Sequence, residues 1–503
     1  MKNKTITDWD LSIVRGLSET GSVSYRSSSQ VGQSRIGLGF ETLDREMFKP
    51  EACYDLLEQS GIKWARVQTG WLRCEKEKGV YDFTWLDEVV DSLSQRGIQP
   101  WFNVSYGNPI YMPDAPHKTA VGCVPLYFGE EATQAWKNYV AALAKHYKGR
   151  VEIYEIWNES NHPSFWHPHP VSSVDYTELV RVSRAAIIPE IPDAKIVACT
   201  ASPDEKFIYG CLDAGVAELV HAVSIHPYHS VPEDVHSHPA SDEIRAAFAA
   251  CPENIHYEST VKNLRATFAK RAPHLELWQG ECGCPAENLG HADAGWMRVF
   301  NMDEPKQAKW LLRRVLTDLA LEMDMISYFH ATDLMEQAYR QANGNAQVGG
   351  VKLGVIKGLS YEPKLSYSAL QGMCALFDSE MEQRPLVTRS GLSRMGRCES
   401  KLPMIAMRVL TFERRGYPFY IYYLPEDVQL ETSVRNDFWF QMLHETEHRI
   451  EQPVLVDLLQ NKVFDLSEFR KGEGVCYDWM LEGIPLADYP LIITDQKALS
   501  GMS

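Results

Sequence analysis

The sequence predicts a (β/α)8 barrel followed by an antiparallel β-sandwich. Three observations carry this. Short apolar runs alternate with amphipathic segments up to about residue 377, and strands separated by helices pair in parallel because the helix supplies the crossover. Beyond that point the runs become short, β-rich and broken by turn residues, as antiparallel strands are. The length of 503 residues exceeds one ordinary core, whereas an eight-unit barrel takes about 250 residues as one domain.

The elements follow in order. "RIGLGF" (35–40) reads as the first strand and "PEACYDLLEQSG" (50–61) as a helix ending at Gly61. "IKWARVQ" (62–68) is the second strand. In "TWLDEVVDSLSQRG" (84–97), Trp85, Leu86, Val89, Val90 and Leu93 recur at helical spacing, and Gly97 suits the C-cap. "IQPWFNVS" is the third strand, "EATQAWKNYVAALAKHYKG" a helix and "VEIYEIW" the fourth strand. "DYTELVRVSRAAIIPEI" is helical, and "AKIVACT", "HAVSIHP" and "LELWQGE" are strands five to seven. "DEPKQAKWLLRRVLTDLALE" is a long helix with acids in its first turn, where the helix dipole favours them. "MISYFHA" is the eighth strand and "KLSYSALQGMCALF" the closing helix. The expected division is an N-terminal segment 1–34, of which 11–34 lends a strand to the sandwich, a catalytic barrel 35–377, and an accessory β-sandwich 378–503.

Composition narrows the function. Hydrophobic residues make up 45% and charged residues 23%, and the formal charge is −17. That charge disfavours nucleic acid and anionic membrane as partners. No apolar run is long enough to span a membrane, and the opening "MKNKTITDWDLSIVRGL" lacks the apolar stretch of a signal peptide. Eleven cysteines at irregular spacing imply no disulfide framework. A reducing cytoplasm is the expected location.

In such barrels chemistry gathers at the C-terminal strand ends. Read together, those ends carry Arg66 (strand two), Asn103 and Tyr106 (three), Trp157-Asn158-Glu159 (four), His226 and Tyr228 (six) and Glu281 (seven). Strands four and seven lie on opposite sides of an eight-strand ring, so Glu159 and Glu281 can face each other across a pocket. Two facing carboxylates suit glycoside hydrolysis: one protonates the leaving oxygen, and the other attacks the anomeric carbon or activates water. A salt-bridge network with Arg66 is the bland alternative.

"YEIWNESNHPSFW" resembles the acid/base segment of clan A retaining glycoside hydrolases, most of all family 39, the β-xylosidase and α-L-iduronidase group. "EKEKGVYDFTWLDEVVDSLSQRGIQP" and "GLSYEPKLSYSALQ" share the clan's look. The resemblance covers the barrel, with a looser likeness in the sandwich. It implies that Glu159 is the acid/base and Glu281 the nucleophile. Asn158 then meets the sugar 2-hydroxyl, Arg66 keeps Glu281 ionised, Tyr228 donates to Glu281, and His226 lines the non-reducing subsite. Glu159 needs a raised pKa, which desolvation by Trp157 and Trp166 and the charge of Glu281 would supply. Gly280 precedes Glu281 and Ser160 follows Glu159, where the group more often carries Thr and Pro. "FHATD" lacks the group's strand-eight tryptophan.

Sugars also need aromatic platforms, and Trp71, Tyr106, Trp166 and Trp296 are the candidates in loops of the catalytic face. Long loops after strands three, four and six point to a walled pocket and exo action on a β-glycoside or short oligosaccharide. The sugar is left open among xylosides, glucosides, galactosides and arabinosides. Two rivals were weighed. "NHPSFWHPHP" (His162, His167, His169) and "HPYHSVPEDVHSHP" could build a metal-dependent hydrolase. Alternatively the barrel only binds carbohydrate. The favoured reading needs no metal and no cofactor. Its expected partner is a carbohydrate substrate, met by a monomer or a homo-oligomer.

Overall fold

The computed structural model describes residues 17–116, 118–235, 256–287, 302–334, 351–392, 407–428, 434–443, 445–472 and 479–499. Eight parallel strands close a barrel: Ile36–Gly39, Trp64–Gln68, Gln99–Val104, Ile153–Ile156, Lys195–Thr200, Ala222–Ile225, Glu276–Cys282 and Met325–Tyr328. Each pairs with its chain neighbour, and the eighth pairs with the first to close the ring. The expected (β/α)8 architecture is therefore present. Among the described residues no helix is long and apolar enough to cross a membrane.

The expected helices are found within a few residues of their predicted ends, as in Thr84–Gln95, which buries Leu86, Val89, Val90 and Leu93. Gly61 takes φ +80° at the end of Tyr54–Ser60, a left-handed cap that a side chain would strain. Besides the four-residue Trp71–Cys74, two helices of the described residues went unread. Glu205–Asp213 buries Phe207, Ile208, Cys211 and Leu212 but spans only nine residues, and His256–Arg271 is strongly polar and lacks a strong apolar stripe.

Inside the barrel the side chains form layers, because residues two apart on a strand share a face. The lower layer is apolar: Trp101, Ile153, Val197, Ala222, Trp278 and Met325, with Trp64 packed against them. Trp101 and Trp278 stack with ring centroids 4.9 Å apart. Two residues further along the same strands stand Arg66, Asn103, Glu155, Cys199, Ser224, Gly280 and Ser327. All but the glycine are polar or carry sulfur.

The C-terminal region forms two antiparallel sheets. One has seven strands in the order Glu19–Gly21, Lys462–Asp465, Pro453–Asp457, Leu491–Asp495, Tyr417–Tyr423, Arg408–Arg414 and Met381–Gln383. The other joins Thr388–Leu392, Val434–Met442 and Trp479–Ala487. The N-terminal strand Glu19–Gly21 thus pairs with a strand more than 440 residues away in sequence. Helix Glu304–Ala320 joins barrel and sheets. Every residue from Gln307 to Asp318 is buried, which marks a helix covered on all sides. Its Lys309 meets Asp488 at 3.0 Å, and Arg313 holds Glu233 through two bonds of 2.6 and 2.7 Å. Tyr423 donates to the same Glu233 at 2.9 Å.

Candidate active site

The polar layer converges on one guanidinium. Arg66, wholly buried, donates from Nε to Glu155 at 2.6 Å. Its Nη1 reaches both Glu41 at 2.9 Å and Glu281 at 2.8 Å. Its Nη2 reaches the Asn158 side-chain oxygen at 2.9 Å. Asn103 adds a bond from Nδ2 to Glu155 at 2.9 Å and another to the carbonyl of Trp157 at 2.7 Å. Every nitrogen of the fork thus has a carboxylate or amide partner, and Nη2 also reaches the Cys199 sulfur at 3.9 Å, the planar geometry that suits arginine.

The end of the fourth strand is bent to present its carboxylate. Trp157 and Glu159 both adopt left-handed backbone, φ 66° and 48°, which costs about 1–3 kcal/mol each and recurs at functional sites. Surrounding bonds hold the turn: Trp157 donates its indole N–H to the Phe165 carbonyl at 2.7 Å. Ser160 donates its hydroxyl to the Cys199 carbonyl at 2.7 Å. A proline after Glu159 would have no such hydroxyl.

Glu281 and Glu159 are bound differently. Glu281 accepts from Tyr228 on Oε1 and from Arg66 on Oε2, both at 2.8 Å. Glu159 meets His226 Nδ1 through Oε1 at 3.0 Å, and Glu281 Oε2 lies 3.7 Å from the same nitrogen. One oxygen of each carboxylate and that nitrogen all fall within 4.8 Å of one another. The side chains of both glutamates keep a little exposure, 13% and 14%. They form the accessible surface of an otherwise buried polar cluster.

The electrostatics separate the two. Burial, then the charge of Glu281, pushes the Glu159 carboxyl well above the ordinary range, with Arg66 opposing. Burial also raises Glu281, but Arg66 and the Tyr228 hydroxyl pull it back. Arg66 was expected to keep Glu281 ionised; it does favour the charged form, but burial outweighs it, and Arg66 shares its charge with Glu41 and Glu155. Glu41, buried against Arg66, rises to about 8. His226 is held well below its ordinary value by burial and by Arg66, so it is neutral.

Several expected site residues sit elsewhere. Trp71 is fully buried, stacked on Tyr111 and Tyr139 and donating to Glu75. Trp166, 1% exposed, packs edge-on against Trp157, Tyr127 and Tyr176. Neither has a face open to a sugar; both fill the loop core, as large aromatics usually do. Tyr106 does lie at the site, its hydroxyl accepting from Gln68 and its ring stacked on the half-buried Phe165 at 5.8 Å. His226 stands behind Glu159, 1% exposed, with Nδ1 3.0 Å from Glu159 Oε1. Trp296 lies outside the described residues, as do His236 and His238 of the second histidine loop. In the first, His162 accepts from the Ser164 N–H and His169 packs on Tyr127 at 4.4 Å.

Among the described residues two triads lie near enough to hold a cation: the buried Glu155, Cys199 and His226, and the more exposed Glu159, His226 and Glu281 at the site's surface. A cation there would have to displace the Arg66 guanidinium from Glu281 Oε2 or share that oxygen with it.

The sequence reading passed over Glu41, Glu155 and Cys199. Glu155 sits two residues before Trp157, in phase with the inward face of its strand. Glu41 lies two residues past the first strand, at its C-terminal end. Its neighbour His330 packs over it, with Nε2 3.2 Å from the Glu41 carbonyl. Gly280 also has its reason: a Cβ there would lie 2.0 Å from the Ser224 hydroxyl and 3.3 Å from Glu155. Threonine would not fit.

Residues 45–271 match the model of glycosyl hydrolases family 39. A β-xylosidase of Geobacillus stearothermophilus is 26% identical over 171 residues, covering 30% of this chain and 32% of that protein. A β-galactosidase of Clostridium cellulovorans is 33% identical over 82 residues, 16% of this chain and 12% of that protein. These matches span a third or less of the relatives' length. In fold, the chain is similar to a family 39 glycoside hydrolase from Bacteroides cellulosilyticus WH2, with a TM-score of 0.64 at 17% identity, covering 92% of this chain and 81% of that one. It is also similar to a family 30 subfamily 8 xylanase from Clostridium acetobutylicum, with a TM-score of 0.52 at 11% identity, covering 94% and 97%. Over residues 45–271 the chain is thus similar to the family 39 glycosyl hydrolases, and its fold is similar to theirs.

Proposed function

We propose that this protein is a retaining, exo-acting glycoside hydrolase that cleaves a β-glycoside, a β-xyloside first among the candidates, by double displacement. One observation carries the reading: two partly exposed carboxylates from opposite strands approach within 4.8 Å, one tied to a cation and one to a neutral imidazole. Close carboxylates leave no room for a water between them and so favour direct attack on the sugar; an inverting pair stands about 6.5–9.5 Å apart.

Glu281 is the nucleophile. Its two donors fix its orientation, and Arg66 keeps it the more acidic of the pair. Glu159 is the acid. Burial and the charge of Glu281 keep it protonated as substrate binds. Once Glu281 becomes an ester its charge is gone, the largest charge raising Glu159 vanishes, and Glu159 becomes a base for the incoming water. Asn158, its oxygen held by Arg66, turns its N–H2 toward the sugar 2-hydroxyl. The β-xylosidase relative supports the choice of sugar. The division into a catalytic barrel (35–377) and an accessory sandwich (378–503) joined by the segment 1–34 belongs to the same reading. The pairing of Glu19–Gly21 with Lys462–Asp465 supports it. Eight buried free thiols among the described residues support a reducing, cytoplasmic setting.

The test is stereochemical. With an activated aryl β-xyloside, Glu281→Gly should lose turnover and regain it with azide, giving the inverted glycosyl azide. Glu159→Ala with azide should give the retained product. A fully active Glu281→Gly would overturn the assignment, and a panel of nitrophenyl glycosides decides the sugar.

A further inference from the structure

Cys199, the last residue but one of the fifth barrel strand, is wholly buried. Among the described residues its Sγ has three hydrogen-bonding neighbours, the backbone N–H of Glu159 at 3.5 Å, Arg66 Nη2 at 3.9 Å and His226 Nε2 at 3.4 Å, and a Glu155 oxygen lies within 4.8 Å. The first two are pure donors, so they occupy the sulfur's lone pairs. The thiol hydrogen is then left for His226 Nε2, which must accept it.

From this geometry we infer that Cys199 is a positioning residue that fixes the tautomer of His226 and, through it, the oxygen of Glu159 that carries the acidic proton. With Nε2 accepting from the thiol, the neutral ring carries its hydrogen on Nδ1 and donates it to Glu159 Oε1, 3.0 Å away. That oxygen is an acceptor and holds no proton of its own. The carboxyl hydrogen belongs on Oε2, which has no hydrogen bond to the described residues and is free to meet a leaving oxygen. The other tautomer would draw the proton to Oε1 and bury it against the imidazole. It would also bring a third donor onto the sulfur and turn the thiol hydrogen away from His226, toward Glu155, whose carboxylate lies within 4.8 Å.

The groups around this contact agree. Burial holds the thiol well above its ordinary range, and the neighbouring Glu155 adds to it, so Cys199 is a thiol, not a thiolate. The charged and titratable groups facing the Cys199–His226–Glu159 chain are Arg66, Glu155, Glu281, Tyr106, Tyr176 and Tyr228. Arg66 is the one cation among them, and it disfavours a second on the imidazole.

The consequence for catalysis rests on the function proposed above; the tautomer itself does not. Long-range ¹⁵N–¹H correlation on histidine-labelled protein, with the His226 signals assigned by their loss in His226→Gln, reads the tautomer directly. The expected result is Nδ1–H in the wild type, kept in Cys199→Ser and lost or mixed in Cys199→Ala. An Nε2–H wild type overturns the inference. In kinetics, Cys199→Ala should lower kcat/KM on an alkyl glycoside about tenfold more than on the 2,4-dinitrophenyl glycoside, because only the former needs the proton. Cys199→Ser should restore most of that ratio. Equal losses on both substrates would mean packing damage and would also overturn it. If the wild type turns over no glycoside, the proposed function fails while the tautomer measurement still decides this point.

Discussion

Two layers of the same barrel, two residues apart along each strand, have opposite characters. The lower one is Trp101, Ile153, Val197, Ala222, Trp278 and Met325, closed by a stacked indole pair. The upper one is Arg66, Asn103, Glu155, Cys199, Ser224, Gly280 and Ser327. Below, burial of apolar surface stabilises the fold at about 25 cal/mol per Å². Above, three carboxylates lean on one guanidinium, and Glu155 Oε1, Ser224 Oγ and Ser327 Oγ have no hydrogen-bond partner among the described residues. Such groups cost free energy to bury. The layers show a barrel stabilised from beneath carrying an unfavourable concentration of charge where the site needs it.

The sharpest way to break this contrast is to remove the cation. Arg66→Leu leaves Glu41, Glu155 and Glu281 uncompensated. The expected cost is about 3–5 kcal/mol in urea unfolding, together with a loss of turnover of about 10²–10³-fold. Unchanged stability would show that the carboxylates take up protons at little cost.

Trp278→Ala tests the lower layer. A loss of about 3–5 kcal/mol is expected, with the pH profile of turnover kept, since no charged group of the site touches that indole. If the profile shifts as far as in Arg66→Leu, the layers are not separable.

Gly280→Ala probes their boundary. Its Cβ would press on the Ser224 hydroxyl, and about 1–3 kcal/mol should be lost. Adding Ser224→Gly should recover most of it; additive losses in the double variant would refute the steric account.

The last effect, read as a pH dependence, concerns Glu41→Gln. In the folded protein Glu41 keeps its proton to about pH 8, against an ordinary value of 4.5. The unfolded chain binds fewer protons across that window, so wild-type stability falls as pH rises from 4.5 to 8. The variant lacks this fall. Its melting temperature should gain on the wild type progressively over that range and level off above it; a constant difference would refute the linkage.

Much of this was legible along the chain. The alternation of runs predicted the barrel because strand and helix periods are local properties. Glu159 and Glu281 stood out because a polar residue at a strand end interrupts an apolar run. The aromatics misled for the opposite reason. Trp71 and Trp166 occupy loops of the catalytic face, yet whether an indole faces a pocket or its neighbours depends on which loops fold over it. Glu155 hid within an apolar strand, since nothing local says that inward also means next to Arg66.

By itself, then, the sequence determined the order of strands and helices, the strand ends that carry carboxylates and the change to a β-rich C-terminal region. Each follows from residues near one another in the chain. Only the tertiary structure decided that Arg66 is shared by three carboxylates, that His226 supports Glu159 from behind, that Cys199 closes that chain, and that Gly280 must be glycine. Those contacts join residues from different strands. Their energies come from charge, burial and close approach through space, which spacing along the chain does not encode.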